Sequence, residues 1–152
     1  MRFILNHLAI GSFGEALRPS SKITALLNVA KEMDLKTSLV YHKVPIIDMQ
    51  PIPPSQMLEA VKWIQKHISK HIIMVFCNAG IGRSPSVVIG HLCCFLNYGF
   101  GEAIEYVAKR KPNISILPNL LRTIEETKLL LGLNIPQNLG VNLKNIPVCP
   151  VC

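Results

Sequence analysis

The sequence predicts an α/β domain in which helices cover a short central sheet. Its 152 residues suit one domain with a sizeable core, and 49% of them are hydrophobic, as in globular proteins. Short apolar runs typical of strands come mostly in the first half of the chain, whereas stretches with helical periodicity dominate the second half. Strands and helices in this arrangement pack as layers around one hydrophobic core, so we expect a single layered domain.

Four segments have the character of strands. Residues 2–11 alternate loosely between apolar and polar side chains, and residues 23–29 form a continuous apolar run. Residues 39–47 form a second apolar run, in which Pro45 indicates a strand end or a sheet edge. The run 72–76 is apolar throughout and bounded by polar residues, which predicts a central strand buried on both faces.

Later segments have the spacing of helices. Over residues 55–69, apolar side chains recur at intervals of four, three and four residues, which puts them on one buried stripe. Pro85 and Pro118 suit the first turn of a helix, where the missing N–H costs little. Gly99 and Gly132 are expected to end the preceding helices. The predicted helices are residues 55–69, 85–97, 101–111 and 118–131.

The C-terminal residues differ in composition from the rest. Residues 133–152 are rich in Asn and Pro and predict an irregular extension, so the predicted domain spans residues 1–132. Cys149 and Cys152 form an isolated C-x-x-C pair, whereas a zinc site needs about four ligands. Because no second pair exists, we interpret the tail as flexible and free of metal. The odd total of five cysteines argues against a disulfide framework.

Charge and hydropathy limit the partners and the cellular compartment that we expect for the protein. With 16 basic and 9 acidic residues the net charge is +7, which suits phosphorylated substrates, nucleic acid or an anionic membrane. The basic residues are scattered apart from residues 109–111, which we interpret as a solvated helix end. No apolar run reaches the roughly 18 residues that span a membrane, and the first residues lack the order of a signal peptide. We expect a soluble protein of the cytoplasm or nucleus.

The segment from Cys77 to Ser84 carries the strongest chemical signal. It follows the predicted central strand and precedes a predicted helix, so its backbone N–H groups converge on a site that favours an anion. Cys77 in that field is expected to ionise readily, and the thiolate is the nucleophilic form. Arg83 lies six residues on (83 − 77 = 6) and offers a planar fork that matches two phosphate oxygens. Gly80 and Gly82 allow the tight turn of such a loop, which predicts a phosphoryl-transfer site.

The segment from Cys77 to Ser84 also resembles the signature loop Cys-x5-Arg-Ser/Thr of the cysteine-dependent protein tyrosine phosphatase superfamily. Its Cys-x-Ala-Gly-x-Gly-Arg-Ser form, continued by Pro-Ser, is most similar to the dual-specificity branch. Further segments that resemble that branch, in the same order, are residues 23–29, 44–48 and 110–119. The resemblance covers residues 1–131 and implies a phosphotyrosine-phosphatase-like fold with a mixed sheet of about four to five strands.

The resemblance implies roles for the loop residues. Cys77 would attack phosphorus and form a phosphocysteine intermediate, while Arg83 and the backbone N–H groups of residues 78–83 would hold the equatorial oxygens. Ser84 would donate a hydrogen bond to the Cys77 sulfur and help it leave in the second step. No metal or other cofactor is implied, because the loop and Arg83 supply the positive field. The predicted phosphate-binding residues are Asn78, Ala79, Gly80, Ile81, Gly82 and Arg83.

Asp48 is the predicted general acid. Of the nine carboxyl side chains, it alone stands at the end of an apolar strand and at the mouth of a proline-rich loop, residues 48–54. The resemblance assigns the acid to this loop, and Asp48 precedes Cys77 by 29 residues (77 − 48 = 29). The alternative interpretation of Asp48 is a residue that only caps a turn. Glu32 is assigned to an early connection, without a chemical role.

Two positions outside the loop bear on the ionisation of its thiol and on its support. Phe76 stands where the resembled family usually has His directly before the cysteine. That His takes part in the hydrogen bonds that keep the thiol ionised, so its absence predicts weaker activity or a shifted pH optimum. Asn119 resembles a family position that braces the loop, and an N-cap of the last helix is an equally good interpretation.

The substrate class follows less directly from the sequence. A chain of this length implies a shallow pocket, open to phosphotyrosine, phosphoserine and phosphothreonine of proteins. The uncharged loop residues Asn78 and Ile81 count against a highly anionic lipid headgroup. We therefore expect a phosphorylated protein as partner, and neither a membrane nor nucleic acid. Phosphoglucan, phosphoinositide and RNA 5′-phosphate substrates stay open, as does a phosphate-binding module without turnover.

Overall fold

The structure, a computed structural model, describes residues 1–133. Apart from Leu133, the predicted C-terminal extension with its Cys149/Cys152 pair lies outside the described residues. In chain order the elements are β1 (Arg2–Leu5), β2 (Leu8–Ser12), α1 (Phe13–Leu17), β3 (Ala25–Asn28), β4 (Val40–Lys43), α2 (Pro54–His67), β5 (Ile73–Cys77), α3 (Arg83–Phe95), α4 (Phe100–Arg110) and α5 (Leu120–Leu133). None of these helices has the length and apolar character needed to cross a membrane.

The strands form one mixed sheet in the order β1-β2-β5-β3-β4. β1 and β2 are antiparallel, whereas the remaining neighbours run parallel. β5 lies at the centre, with all its residues buried, and its last residue, Cys77, pairs with Ser12 of β2. The predicted α/β class with a short mixed sheet is therefore confirmed. Cys77 stands at the middle of the carboxyl edge of the parallel strands, where open α/β sheets bind their ligands.

Side chains of β5 alternate between two hydrophobic cores. The first core packs helices α2 to α5 on the sheet and includes Val75 and Cys77. The second core packs α1, Leu35 and Leu39 on the sheet and includes Met74 and Phe76. Successive residues of a strand point to opposite faces. Phe76 and Cys77 therefore belong to different cores, although they are neighbours in the chain.

The N-terminal region differs from the sequence prediction. Residues 2–11 form two strands of a hairpin rather than one strand, and α1 has no counterpart among the predicted helices. α1 begins with a capping box: Glu15 N–H donates to Ser12 Oγ at 3.3 Å, and Ser12 N–H donates to Glu15 Oε1 at 3.0 Å. The Ser-x-x-Glu spacing is the sequence signal that predicts such a start.

The later helices follow the predicted order, with differences at their ends. α3 begins two residues before Pro85, which puts that proline in the first turn as predicted, and α5 begins two residues after Pro118. The prediction for Gly99 was wrong, because this glycine is the N-cap of α4. The left-handed residue after α3 is Asn97, with φ of 62°. Gly132 lies inside α5 instead of following it.

Candidate active site

The loop between β5 and α3 is held by backbone hydrogen bonds from two distant parts of the chain. Phe13 N–H, at the start of α1, donates to the Asn78 carbonyl at 3.1 Å. Ser115 N–H, from the segment between α4 and α5, donates to the Ile81 carbonyl at 2.8 Å. These bonds hold the loop from both sides, which is the kind of preorganisation that an anion site requires.

Two glycines make this close packing possible. Gly80 has φ of 74°, and a Cβ there would lie 2.7 Å from the Gly11 carbonyl oxygen of β2. Gly82 has less room than an ordinary side chain needs, because a Cβ would lie 3.2 Å from the Ser115 carbonyl oxygen. The predicted role of these glycines in the turn therefore has a steric reason as well as a conformational one.

Ser86 joins the loop to the opposite wall of the site. It is fully buried, and its Oγ donates to the Gly82 carbonyl at 2.7 Å. The same oxygen accepts from Leu117 N–H at 3.0 Å. From the sequence, Ser86 is only a part of the motif. The available signal is its position four residues after Gly82, because a helical Ser often donates to the carbonyl four residues before it.

Arg83, the first residue of α3, is 2% exposed and held by Glu32. Arg83 Nη1 donates to Glu32 Oε2 at 2.7 Å, and Nη2 pairs with Oε1 of the same carboxylate. Nη1 also donates to the Ile46 carbonyl at 3.1 Å. Arg83 Nε is buried and has no hydrogen-bond partner within residues 1–133. One edge of the guanidinium is thus anchored, and the other edge keeps an unused donor.

The ion pair shifts the titration of both partners. Burial alone would lower the pKa of Arg83, but the hydrogen bond and charge of Glu32, together with the charges of Asp48 and Cys77, raise it above its ordinary value. The hydrogen bond from Arg83 lowers the pKa of Glu32, against a smaller opposing effect of burial. Arg83 therefore carries its positive charge at neutral pH.

Asp48 lies beside the free edge of Arg83. Its Oδ1 is 3.7 Å from Arg83 Nε, and the side chain is about half exposed. Met49 N–H donates to Asp48 Oδ1 at 2.9 Å, so the turn itself orients the carboxylate. This contact agrees with the turn-capping interpretation of Asp48, and the proximity to Arg83 agrees with the acid interpretation.

A cleft of about 460 Å³ brings together Asp48, Cys77, Arg83 and most of the predicted phosphate-binding residues, whereas Ser84 does not line it. Its lining is Asp48, Met49, Cys77, Asn78, Ala79, Ile81, Gly82, Arg83, Ser115, Ile116, Leu117 and Pro118. Gly80 is the one predicted phosphate-binding residue that does not line it. A cavity of about 480 Å³ between β1 and α4 is lined by neither a thiol nor a carboxyl group.

Ser84 does not make the contact predicted for it, whereas Asn119 stands at the N-cap position of α5, in agreement with the second interpretation of that residue. Ser84 is buried, but its Oγ has no hydrogen-bond partner in the described part of the chain, so the predicted bond to Cys77 is not formed here. Asn119 is exposed, with φ of 56°, and its carbonyl accepts from Thr123 N–H at 3.0 Å. The contacts that brace the loop come instead from Ser86 and Ser115.

Phe76 supports the site by packing. It is fully buried in the second core, and its ring centroid lies 6.4 Å from that of Phe13. Phe13 is the residue whose N–H holds the Asn78 carbonyl. An apolar ring at position 76 therefore stabilises the segment that fixes the beginning of the loop.

Lys111, which follows α4 directly, is a second buried cation. Burial lowers the pKa of Lys111, and the charge of Cys77 acts in the opposite direction. Lys111 Nζ donates to Asn113 Oδ1 at 3.0 Å. The prediction that residues 109–111 form a solvated helix end is wrong for this residue, because Lys111 is buried.

The arrangement suits the binding of one phosphate group. It supplies a thiol at a strand end, a preformed backbone loop, a fixed guanidinium with a free donor and a carboxyl group at the rim. Within residues 1–133, no group of three or more His, Cys, Asp or Glu side chains could hold a metal ion.

Comparisons of the sequence with known proteins all point to the same family. The sequence model of the family described as dual specificity phosphatase, catalytic domain, matches residues 11–128. Human dual specificity protein phosphatase 7 is 33% identical over 98 residues, which are 63% of this chain and 23% of that protein. Rat dual specificity protein phosphatase 5 is 28% identical over 125 residues, covering 76% of this chain and 32% of that protein. The chain thus spans about a quarter to a third of the length of these relatives.

A solved structure resembles the whole described fold. The human tyrosine phosphatase-like serine/threonine/tyrosine-interacting protein superposes with a TM-score of 0.74 at 19% identity, covering 86% of this chain and 97% of that one. This likeness confirms the predicted phosphotyrosine-phosphatase-like fold. Together with the family match over residues 11–128, it shows that the chain belongs to the dual specificity phosphatase branch of the cysteine-dependent protein tyrosine phosphatase superfamily.

Proposed function

We propose that the protein hydrolyses phosphomonoesters through a phosphocysteine intermediate, on phosphotyrosine, phosphoserine and phosphothreonine of proteins. The observation that carries the proposal is the free donor edge of Arg83. Its Nε is buried without a partner among the described residues and belongs to a side chain that lines one cleft with Cys77 and Asp48. A buried donor without a partner is costly, and a phosphate oxygen would satisfy it.

In the first step, the Cys77 thiolate attacks phosphorus in line with the leaving oxygen. A sulfur–phosphorus bond forms while the ester phosphorus–oxygen bond breaks. Arg83 and the loop N–H groups bind the three equatorial oxygens, where charge is spread in the transition state. Asp48 gives its proton to the leaving oxygen, so the alcohol or phenol departs neutral.

In the second step, water attacks the phosphocysteine and Asp48 takes one proton from it. The sulfur–phosphorus bond breaks, inorganic phosphate leaves and the Cys77 thiolate returns. Ser84, next to Arg83, is the proposed donor to the departing sulfur. Its hydroxyl has no partner within residues 1–133, which makes it available for that bond once negative charge develops on sulfur.

The lining of the cleft favours a singly phosphorylated side chain of a protein. Among the described residues that line it, Arg83 is the only cation, whereas a phosphoinositide headgroup or an RNA end carries further anionic groups. Asp48, which also lines the cleft, adds a negative charge there. The proposed partners are therefore phosphorylated proteins of the cytoplasm or nucleus, and phosphoglucan, phosphoinositide or RNA 5′-phosphate is the alternative substrate.

A second candidate is a phosphate-binding module without turnover. The solved structure of a phosphatase-like interacting protein makes this worth separating from catalysis. Cys77, Arg83 and Asp48 are all present in this chain, and they lie together, which favours an enzyme.

Hydrolysis of p-nitrophenyl phosphate and of phosphopeptides tests the proposal. Cys77→Ser should abolish turnover, because the serine hydroxyl remains protonated, while Cys94→Ala should retain it. Asp48→Ala should lower kcat on a phosphothreonine peptide by about a hundredfold or more, and less on an aryl phosphate, whose phenoxide leaves more easily. Phosphopeptide binding without turnover by the wild type at every pH from about 5 to 8 would favour the binding module.

A further inference from the structure

Met49 is the most exposed of the large apolar side chains in the described chain, at 82%. It follows Asp48 directly and lines the cleft of Cys77. Single exposed apolar residues are common on protein surfaces. Met49 differs from them because it stands at the mouth of the proposed active site.

The backbone of Met49 gives a second, independent observation. Its φ is 60°, in the left-handed region that residues with a Cβ seldom adopt. The turn needs this conformation, because Met49 N–H orients the Asp48 carboxylate. Gly or Asn would fit the same turn with less strain. The backbone therefore gives no reason for Met at this position, which points to its side chain.

Other apolar side chains face the same opening. Ile81, in the loop, is 37% exposed, and Ile116 is half-buried in the wall that Ser86 braces. Both line the cleft, together with Met49. Below them lies Arg83, whose single charge suits one phosphate group. The cleft thus has a polar floor for one dianion and apolar side chains around its mouth.

We propose that Met49, with Ile81 and Ile116, determines substrate specificity by covering the aryl ring of phosphotyrosine; this inference rests on the proposed function. When phosphate binds at the loop, the ring of phosphotyrosine extends toward the mouth, where a thioether packs favourably on an aromatic surface. Phosphothreonine is shorter and has no ring to cover. Met49 therefore contributes to aryl selectivity, whereas the loop binds the phosphate of either substrate.

Binding of two small probes separates these contributions. Inorganic phosphate occupies only the loop, and benzylphosphonate adds the ring and cannot be hydrolysed. Dissociation constants of both would be measured by calorimetry for the wild type, Met49→Asn and Met49→Gly. These two variants keep the left-handed turn and remove the apolar side chain. The matched control is Leu129→Gln, which changes an apolar residue, 69% exposed, on α5.

The expected result is specific to the ring. Both Met49 variants should bind benzylphosphonate about fivefold more weakly and phosphate as the wild type does, because only part of the methionine surface is covered by the ring. Leu129→Gln should change neither constant. In turnover, the ratio of kcat/KM for a phosphotyrosine peptide to kcat/KM for the matched phosphothreonine peptide should fall.

Two results would overturn the inference while leaving the proposed function intact. One is wild-type affinity of both Met49 variants for benzylphosphonate. The other is an equal loss for benzylphosphonate and phosphate, which would show that Met49 acts only through the turn. If the wild-type protein bound neither probe, the proposed function would fail together with the inference.

Discussion

Arg83 carries a permanent charge at a position almost closed to solvent, and Glu32 makes this burial tolerable. A buried charge is costly unless it is paired and hydrogen-bonded. The carboxylate of Glu32 engages two nitrogens of the guanidinium, and the Ile46 carbonyl accepts from one of them. The geometry of the free Nε edge therefore depends on a residue that does not line the cleft.

Glu32→Gln should separate this positioning role from simple charge balance. The amide keeps the shape of the side chain but loses the ionic two-point contact, so the guanidinium is held less firmly. We expect kcat/KM for p-nitrophenyl phosphate to fall by about tenfold or more, since small misplacements of a catalytic group are costly. Steady-state kinetics and the affinity for inorganic phosphate would measure the effect.

The control for Glu32→Gln is Glu126→Gln, which breaks an exposed pair with Arg122 on α5. Exposed pairs of this kind contribute little, so its kinetics should match the wild type. Unchanged kcat/KM and phosphate affinity in Glu32→Gln would refute the positioning role.

At the scale of elements, the site depends on how closely β2 approaches the loop after β5. A Cβ added at Gly80 would lie 2.7 Å from the Gly11 carbonyl oxygen in β2, and the φ of 74° at Gly80 disfavours residues with a side chain. The loop is thus shaped by contact between elements as well as by its own sequence. Changes in the loop should affect stability and activity together.

Gly80→Ala tests this close approach. The added Cβ would clash with the Gly11 carbonyl and strain the backbone, so either the loop or β2 must move. We expect a loss of about 1–3 kcal/mol in the free energy of unfolding. Activity should fall by about a hundredfold, because the phosphate-binding N–H groups lose their alignment. Denaturant unfolding and kinetics on the same preparation would measure both.

A matched substitution elsewhere shows what alanine does without the clash. Gly101 lies in α4, and a Cβ added there would meet nothing within 4 Å. Gly101→Ala should therefore leave activity unchanged and stabilise the helix slightly. Wild-type activity in Gly80→Ala would contradict the steric account of the loop.

At the scale of the whole molecule, His91 couples folding to pH. It lies buried in α3, and its Nδ1 has no hydrogen-bond partner in the described part of the chain. Burial lowers its pKa from 6.5 to about 4. Between these values the unfolded chain binds a proton that the folded chain does not bind, so acidification favours unfolding.

The free energy of unfolding should therefore fall as the pH drops from about 6.5 to about 4, with about 3 kcal/mol of the loss due to His91. The contribution of neutral, buried His91 to the free energy of unfolding is fully present above pH 6.5. It is lost as the pH falls through the folded-state pKa of His91. Urea unfolding across this range, for the wild type and His91→Met, would measure the difference in slope.

Phe95→Leu is the control for His91→Met. Its ring lies 5.8 Å from that of His91, so the substitution loosens the same packing but keeps the titrating group. It should lower stability at every pH and preserve the steep decline. Parallel pH profiles for the wild type and His91→Met would contradict the assignment.

Local sequence patterns predicted much of the fold and of the candidate site, because these features depend on residues that are close together in the chain. The burial of β5 and the loop that follows it can be inferred from adjacent residues, and Asp48 from its place after an apolar strand. Glu32 could not be found this way, since its contact with Arg83 spans 51 residues (83 − 32 = 51). Ser115 likewise meets the loop only through the packing of the helices. Partners of this kind depend on the assembled fold.

The two backbone bonds that hold the loop have a consequence for the order of folding. One joins residues 65 apart (78 − 13 = 65) and the other residues 34 apart (115 − 81 = 34). Contacts at such separations form only after the intervening chain has been brought together, against its loop-closure entropy. A chain with its central strands paired but either flank undocked would hold the thiol without the cradle around it. Under the proposed function, we therefore expect catalytic activity to appear only after both flanks have docked on the loop.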